Sequence, residues 1–161
     1  MGTLFGFVAA FLVFFEHPIL GAASLLVAGF LDILDGAVAR TSGRVTRFGG
    51  FFDSVLDRYT DLSIMGAIML VYVRHNEICL AVTGFVAVIG IALIPYARAR
   101  AEAASVQCKT GLLERPERIV LLLIGLFIPF LLNYVVIILA ILTHVTVIQR
   151  IVHVWRETKG E

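Results

Sequence analysis

Six apolar runs occupy most of this sequence, and they constrain its fold more than any other feature. Such runs predict membrane-spanning helices, because in lipid only helices and closed barrels satisfy the backbone polar groups. The shortest runs, of about 14 residues, rise roughly 21 Å, so they need flanking residues to cross a hydrocarbon core of roughly 30 Å. The runs cover approximately residues 2–15, 18–39, 49–73, 78–97, 119–132 and 134–154.

The composition leaves no room for a separate soluble domain. Of the 161 residues, 60% are hydrophobic, and the mean hydropathy is +0.97. We therefore predict one domain over residues 1–161. Its expected fold is all-α and integral to the membrane, with six transmembrane helices around a polar cavity that opens to the cytoplasmic side.

Basic residues lie almost entirely on one side of the predicted membrane. Of thirteen lysines and arginines, Arg74 alone falls on the other side, which leaves twelve together. Because basic loops stay cytoplasmic, this asymmetry predicts cytoplasmic termini and a cytoplasmic site in a multi-pass protein of the cell membrane. We expect no nucleic-acid partner. The twelve are Arg40, Arg44, Arg47, Arg58, Arg98, Arg100, Lys109, Arg115, Arg118, Arg150, Arg156 and Lys159.

Four aspartates interrupt the second and third apolar runs. On helices, Asp32 and Asp35 share one face, as do Asp53 and Asp57. A carboxylate at membrane depth is costly unless it is paired, hydrated or bound to metal, so such residues usually mark a functional site. Oxygen-only ligands suit Mg²⁺, Mn²⁺ or Ca²⁺ better than zinc. The sequence therefore predicts a divalent-cation site where two helix ends meet.

Two other interpretations of the aspartates are open at this point. One is an ion network at the membrane boundary, formed with Arg40, Arg44, Arg47 and Arg58. An ion network does not require small residues at Gly36, Ala39 and Gly49, whereas a nucleotide that approaches the backbone does. The other is a divalent-cation or proton transporter, but the outer halves of the runs are almost wholly apolar.

The spacing of these residues from Asp32 to Asp57 is D-x2-D-G-x2-A-R-x8-G-x3-D-x3-D. This pattern resembles that of the CDP-alcohol phosphotransferases. The resemblance implies an integral membrane enzyme that moves a phosphoalcohol from a CDP-activated donor, usually a CDP-linked lipid, to an acceptor hydroxyl and releases CMP.

The resemblance also implies roles for individual residues. The Mg²⁺ or Mn²⁺ ligands, for two ions, would be Asp32, Asp35, Asp53 and Asp57. Asp57 would also take the proton from the attacking hydroxyl, although spacing alone cannot rank it against Asp53. The residues that bind CDP would be Asp32, Gly36, Ala39, Arg40, Thr46 and Gly49.

A second constellation comprises Ala99-Arg100-Ala-Glu102-Ala and Glu114-Arg-Pro116-Glu-Arg118. These stretches resemble the branch of the family that joins CDP-diacylglycerol or CDP-archaeol to inositol 1-phosphate. That branch holds the acceptor phosphate in a basic pocket, which here would comprise Arg98, Arg118 and Arg150. Charge-assisted contacts suit a phosphomonoester better than a neutral alcohol.

Alternatives for this constellation are also open. The three arginines could snorkel to the lipid headgroups. A di-inositol-phosphate phosphate synthase, which uses CDP-inositol, would also need a basic pocket. Pro95 stands where relatives often carry a hydroxyl residue. The resemblance further implies a homodimer, and it leads us to expect that an N-terminal interfacial helix precedes the sequence given.

Overall fold

The computed structural model describes residues 2–41, 46–108 and 110–159, with backbone only for 39–41. Within these ranges it contains α-helices and one 3₁₀ turn, and no strand. The six apolar runs are confirmed as six helices. The helices are α1 (Gly2–Phe14), α2 (Pro18–Thr41), α3 (Arg47–Arg74), α4 (Ile78–Ala103), α5 (Arg115–Phe127) and α6 (Leu132–Glu157), with the 3₁₀ turn at Pro129–Leu131.

Several helices extend beyond their apolar runs into polar sequence. α4 continues to Ala103 and α6 to Glu157, because polar side chains at a helix end do not oppose the helical backbone when they reach water or partners. α5 begins at Arg115, ahead of the apolar run, and Pro116 occupies its first turn, where a missing N–H costs nothing.

The six helices pack as a closed ring. Going around it, α1 contacts α3, α3 contacts α4, α4 contacts α6, α6 contacts α5, α5 contacts α2, and α2 returns to α1. The interior is filled by buried side chains of α3, α4, α5 and α6, including Ile64, Ile68, Ile91, Leu126 and Leu139.

Glycines allow the helices of this ring to approach closely. A Cβ on Gly6 of α1 would collide with Thr60 of α3, and a Cβ on Gly90 of α4 would collide with Thr143 of α6. Close backbone approach through small residues is a common way for helices to associate in lipid.

Among the described residues, three helical segments are long and apolar enough to cross a membrane: Pro18–Val38, Ile78–Ala103 and Pro129–Glu157. α1 is a shorter apolar helix of 13 residues. These segments indicate a membrane protein.

Successive helices run in opposite directions. The starts of α1, α3 and α5 and the ends of α2, α4 and α6 therefore lie on one side of the bundle, together with the aspartate motif of residues 32–57. We call this side the motif end. The opposite end carries the short α1–α2 and α3–α4 turns, which are joined through Glu16. Its carboxylate lies 3.1 Å from Arg74 Nη1 and 3.1 Å from His75 Nε2. The hydrogen bonds with His75 and then Arg74 lower the pKa of Glu16 below its ordinary value of 4.5.

Candidate active site

The site is built around carboxylates of α2 and α3 that meet one arginine of α5. Arg115 Nη2 lies 2.7 Å from Asp57 Oδ1 and 3.2 Å from Asp32 Oδ2. Arg115 Nε lies 3.8 Å from Asp61 Oδ1. Arg115 is the first residue of α5, and its contacts with α2 and α3 join three helices at the motif end.

The predicted aspartates are brought together to different degrees. Asp32 and Asp57 share Arg115, and Asp53 lines the same groove as Asp32. Asp35 is exposed on α2, one turn after Asp32. In the part of the chain that the structure describes, no three acidic, histidine or cysteine side chains are grouped closely enough to enclose an ion as they stand.

The donor set nevertheless fits a hard divalent cation in its chemistry. Every candidate ligand is a carboxylate, as Mg²⁺ and Mn²⁺ prefer. The carboxylates of Asp32 and Asp57 already share one cation, the guanidinium of Arg115. A bound ion would be held by Asp32 and Asp57 with Asp53 and Asp35 beside them.

A groove of about 660 Å³ leads from this site between α2 and α5. Its polar end holds Asp32, Asp53 and Arg115 with the backbone of Gly36. Its walls are otherwise apolar, formed by Leu25, Leu26, Phe30, Ile33, Ile119, Val120 and Leu123. The groove can therefore take a molecule that is charged at one end and apolar along its length.

The residues that the resemblance implies for CDP binding are placed as follows. Asp32 and Gly36 line the groove. Thr46 is the N-cap of α3, and its Oγ1 accepts the N–H of Gly49 at 3.0 Å. A Cβ on Gly49 would lie 2.9 Å from that oxygen, so the capped turn itself favours glycine. The side chains of Ala39 and Arg40 lie outside the described residues.

A second cavity, of about 750 Å³, lies between α3 and α4. Its lining includes Arg98, whose Nε donates to Glu102 Oε1 at 2.9 Å, and Arg58. The buried Nη1 of Arg58 has no hydrogen-bond partner, and its nearest carboxylate oxygen, on Asp61, is 3.8 Å away. The sequence predicts Arg58 only as a member of an ion network. Its position next to Asp57 indicates that it lies near the site, but the cavity that it lines forms only when α4 packs against α3.

Arg118 is buried and bound to protein groups. Its Nη1 donates to the carbonyl oxygen of Ile91 at 3.4 Å, and its Nη2 pairs with Asp61 Oδ2 at 3.3 Å. Ile91 lies four residues before Pro95, which has no N–H to donate to it. Arg118 thus supplies the donor that Pro95 removes from α4.

Arg150 is also buried and bound to backbone. Its Nε donates to the carbonyl of Thr110 at 2.9 Å, its Nη1 donates to that of Ile94 at 2.6 Å, and its Nη2 lies 3.6 Å from Glu114. Arg118 and Arg150 thus bind carbonyl groups three residues apart on α4. Of the three predicted arginines it is Arg98 that lines the α3–α4 cavity.

Asp61 connects the two parts of the site. It pairs with Arg118 at 3.3 Å and lies 3.8 Å from both Arg58 and Arg115. Arg115 also contacts Asp32 and Asp57, so a single side chain links Asp61 to these two aspartates.

Comparison with known proteins shows relatives that are similar along most of this chain. The chain is 40% identical over 146 residues to an archaetidylinositol phosphate synthase of Methanothermobacter thermautotrophicus, covering 88% of this chain and 72% of that one. It is 39% identical over 155 residues to an archaetidylinositol phosphate synthase of Pyrococcus horikoshii, covering 94% and 78%.

Solved structures have a similar fold. A Mycobacterium tuberculosis phosphatidylinositol phosphate synthase with CDP-DAG bound superposes with a TM-score of 0.89 at 29% identity, over 96% of this chain and 82% of that one. The same enzyme in complex with manganese and citrate gives 0.90 at 29% identity, over 96% and 78%. The family model of CDP-alcohol phosphatidyltransferases matches residues 1–153. The chain therefore belongs to the CDP-alcohol phosphatidyltransferase family and is a phosphotransferase enzyme.

Proposed function

We propose that this enzyme transfers a phosphatidyl or archaetidyl group from a CDP-linked lipid to inositol 1-phosphate and releases CMP. The observation that carries the proposal is that two different spaces open beside α3, one lined by Asp53 and the other by Arg58. One is the largely apolar groove between α2 and α5, and the other is the cavity between α3 and α4 that Arg58 and Arg98 line. The names of the relatives and the CDP-DAG in the solved structure support the same conclusion.

The groove is suited to a lipid donor. Its apolar walls on α2 and α5 would take the hydrocarbon chains, while the diphosphate and cytidine would lie at its polar end near Asp32, Gly36 and Asp53. Ala39, Arg40, Thr46 and Gly49 complete the proposed CDP contacts. CDP-inositol, the alternative donor, has no apolar part to fill these walls.

The α3–α4 cavity is suited to an anionic acceptor. Arg98 would contact the acceptor phosphate after release from Glu102, and Arg58, which lines the same cavity, would add a second positive charge. Arg118 and Arg150 belong to the same proposed pocket. Each would have to exchange a carboxylate or carbonyl for the phosphate, so we expect them to act mainly through their charge.

The chemistry follows from these positions. In our proposal the acceptor hydroxyl attacks the β-phosphate of the donor, CMP leaves, and Asp57 accepts the hydroxyl proton. Two divalent ions, Mg²⁺ or Mn²⁺, when bound at Asp32, Asp35, Asp53 and Asp57, would neutralise the diphosphate and the leaving CMP. A manganese complex of a solved relative supports this choice of ion.

We further propose that all six helices cross the membrane, that the motif end faces the cytoplasm, and that two copies form a homodimer. The asymmetry of basic residues supports the orientation. Arg115 and the buried arginines all lie at the motif end, whereas Arg74 lies at the opposite end.

One assay tests the proposed function. Labelled inositol 1-phosphate is supplied to purified enzyme with CDP-archaeol, CDP-diacylglycerol or CDP-inositol, and the label is followed into the organic phase. We expect label in the lipid product with one or both lipid donors, dependent on Mg²⁺ or Mn²⁺. Label in a water-soluble product with CDP-inositol alone would contradict the lipid donor. Equal kcat/KM for free inositol and inositol 1-phosphate would contradict the anionic acceptor, because a neutral polyol does not relieve repulsion among clustered arginines.

A further inference from the structure

One guanidinium lies among three carboxylates at the centre of the site. The side chain of Arg115 is 24% exposed, and those of Asp32, Asp57 and Asp61 are 26%, 15% and 9% exposed. Carboxylates that are gathered together and partly removed from water repel one another unless a cation lies between them. Among the described residues, Arg115 is the side chain that contacts all three.

We propose that Arg115 is the internal counter-cation of the carboxylate cluster. It holds Asp32 and Asp57 together while no divalent cation is bound, and these two aspartates must release it to bind the ion. The inference rests on the proposed function, which assigns the divalent cation to these aspartates. Arg115 is in this respect a positioning residue, because it acts through the aspartates.

The contacts indicate why the exchange is possible. The guanidinium uses one nitrogen, Nη2, for both Asp32 and Asp57, and its buried Nε has no hydrogen-bond partner. Pro116 fixes the first turn of α5, so the backbone of Arg115 can stay in place while the side chain moves. Arg115 also lines the α2–α5 groove. A released guanidinium can turn into that groove, toward the phosphates of a bound donor.

The physical consequence is a competition between two cations for the same oxygen atoms. A divalent ion at Asp32 and Asp57 would be repelled by a guanidinium that stayed within about 4 Å, and that repulsion is substantial in a partly buried site. Arg115 should therefore weaken metal binding and, in return, stabilise the protein without metal.

The test measures Mn²⁺ binding directly, from the loss of the electron paramagnetic resonance signal of free Mn²⁺. We expect Arg115→Gln to bind Mn²⁺ about tenfold more tightly than the wild type, and Arg115→Lys to stay near the wild type, because it keeps the charge. In a chelator, Arg115→Gln should melt at a lower temperature than the wild type, and Mn²⁺ should raise its Tm by more. Arg100→Gln, which changes an exposed arginine away from the cluster, should alter neither measurement.

The outcomes separate this inference from the proposed function. Mn²⁺ affinity of Arg115→Gln that is equal to or weaker than that of the wild type would overturn the counter-cation role. A variant that folds only with Mn²⁺ supports it, since the ion then replaces the missing charge, whereas a variant that fails to fold even with Mn²⁺ contradicts it. If the wild type binds no Mn²⁺, or if Asp53→Asn binds it as well as the wild type does, the proposed metal site itself is wrong.

Discussion

At the scale of single residues, the site is built from carboxylates and arginines that form ion pairs with one another. Asp57 contacts Arg115, Asp61 contacts Arg118, and Arg98 contacts Glu102. The first two pairs are partly or fully removed from water, and each charge is compensated by its partner, whereas the Arg98–Glu102 pair is exposed. Substrate and metal must replace such partners, so the energetics of binding are those of exchange between charged groups.

The aspartates give the first prediction. Asp53→Asn keeps the side-chain size but removes an anionic ligand, so we expect CMP release to fall by about 100-fold or more while the protein still folds in detergent. A chelator should abolish the activity of the wild type. CMP release is measured with CDP-archaeol and with CDP-diacylglycerol, and the circular dichroism spectrum reports the fold. Full activity of the variant, or activity unaffected by the chelator, would exclude a metal-dependent mechanism at these residues.

Arg98 gives the second prediction. Arg98→Gln removes a charged donor from the α3–α4 cavity, and a charged hydrogen bond contributes about 1.5–3 kcal/mol. The KM for inositol 1-phosphate should therefore rise about tenfold or more, with little change in affinity for the CDP-linked lipid. Arg100→Gln, two residues along the same helix and outside the cavity, is the matched control. A normal KM in Arg98→Gln would place the acceptor elsewhere.

At the scale of elements, α4 lacks one backbone hydrogen bond at Pro95, and arginines of α5 and α6 bind carbonyl groups beside it. Arg118 from α5 donates to the carbonyl of Ile91, and Arg150 from α6 donates to that of Ile94. Two buried charges thus tie α5 and α6 to the same turn of α4. Removal of the Arg118 guanidinium would leave the carbonyl of Ile91, to which Pro95 cannot donate, without this partner, which is costly.

The third prediction uses this arrangement. Pro95→Ala restores a backbone N–H that can donate to the carbonyl of Ile91. Loss of Arg118 should therefore lower the free energy of unfolding by less in that background. In a double-mutant cycle with Pro95→Ala and Arg118→Gln, we expect a coupling of about 1 kcal/mol between the two sites. Thermal unfolding in detergent measures the cycle, and KM values for inositol 1-phosphate are recorded in parallel. Additive effects on stability with a raised KM in Arg118→Gln would show that Arg118 acts on the acceptor and not on α4.

At the scale of the whole molecule, the ring of helices has two chemically different ends. The motif end carries the aspartates and nearly all the basic residues, while the opposite end carries Arg74 with Glu16 and His75. Basic segments are retained on the cytoplasmic side of a membrane. The two ends should therefore face different compartments.

The fourth prediction tests this orientation by cysteine labelling. The exposed Cys79 is first replaced by serine, which leaves the buried Cys108 as the native cysteine among the described residues. A membrane-impermeant maleimide should label Glu77→Cys in intact cells, because Glu77 lies in the exposed α3–α4 turn. Ala104→Cys, at the exposed end of α4, should be labelled after permeabilisation only. Labelling of Ala104→Cys in intact cells and of Glu77→Cys only after permeabilisation would show the opposite orientation. Labelling of both residues in intact cells would contradict six membrane crossings.

The sequence by itself determined the helices, the aspartates and the family. The apolar runs gave six helices because apolar length and helical hydrogen bonding are local properties. The spacing of Asp32, Asp35, Asp53 and Asp57 indicated the family through residues that lie close together in the chain. Their partners could not be found in this way. The resemblance singled out Arg118 and not Arg115, and nothing in the local pattern indicated that Arg115 would meet these aspartates.

Only the tertiary structure decided which charges meet. Closure of the helix ring brings α5 against α2, so Arg115 reaches Asp32 across 83 residues of sequence. The same packing places Arg118 and Arg150 against carbonyls of α4 and leaves Arg58 and Arg98 on the α3–α4 cavity. Periodicity fixes the face of a helix on which a charge lies, but the order of helices around the ring fixes its partner. That order brings together residues far apart in the chain, such as Gly6 with Thr60 and Gly90 with Thr143.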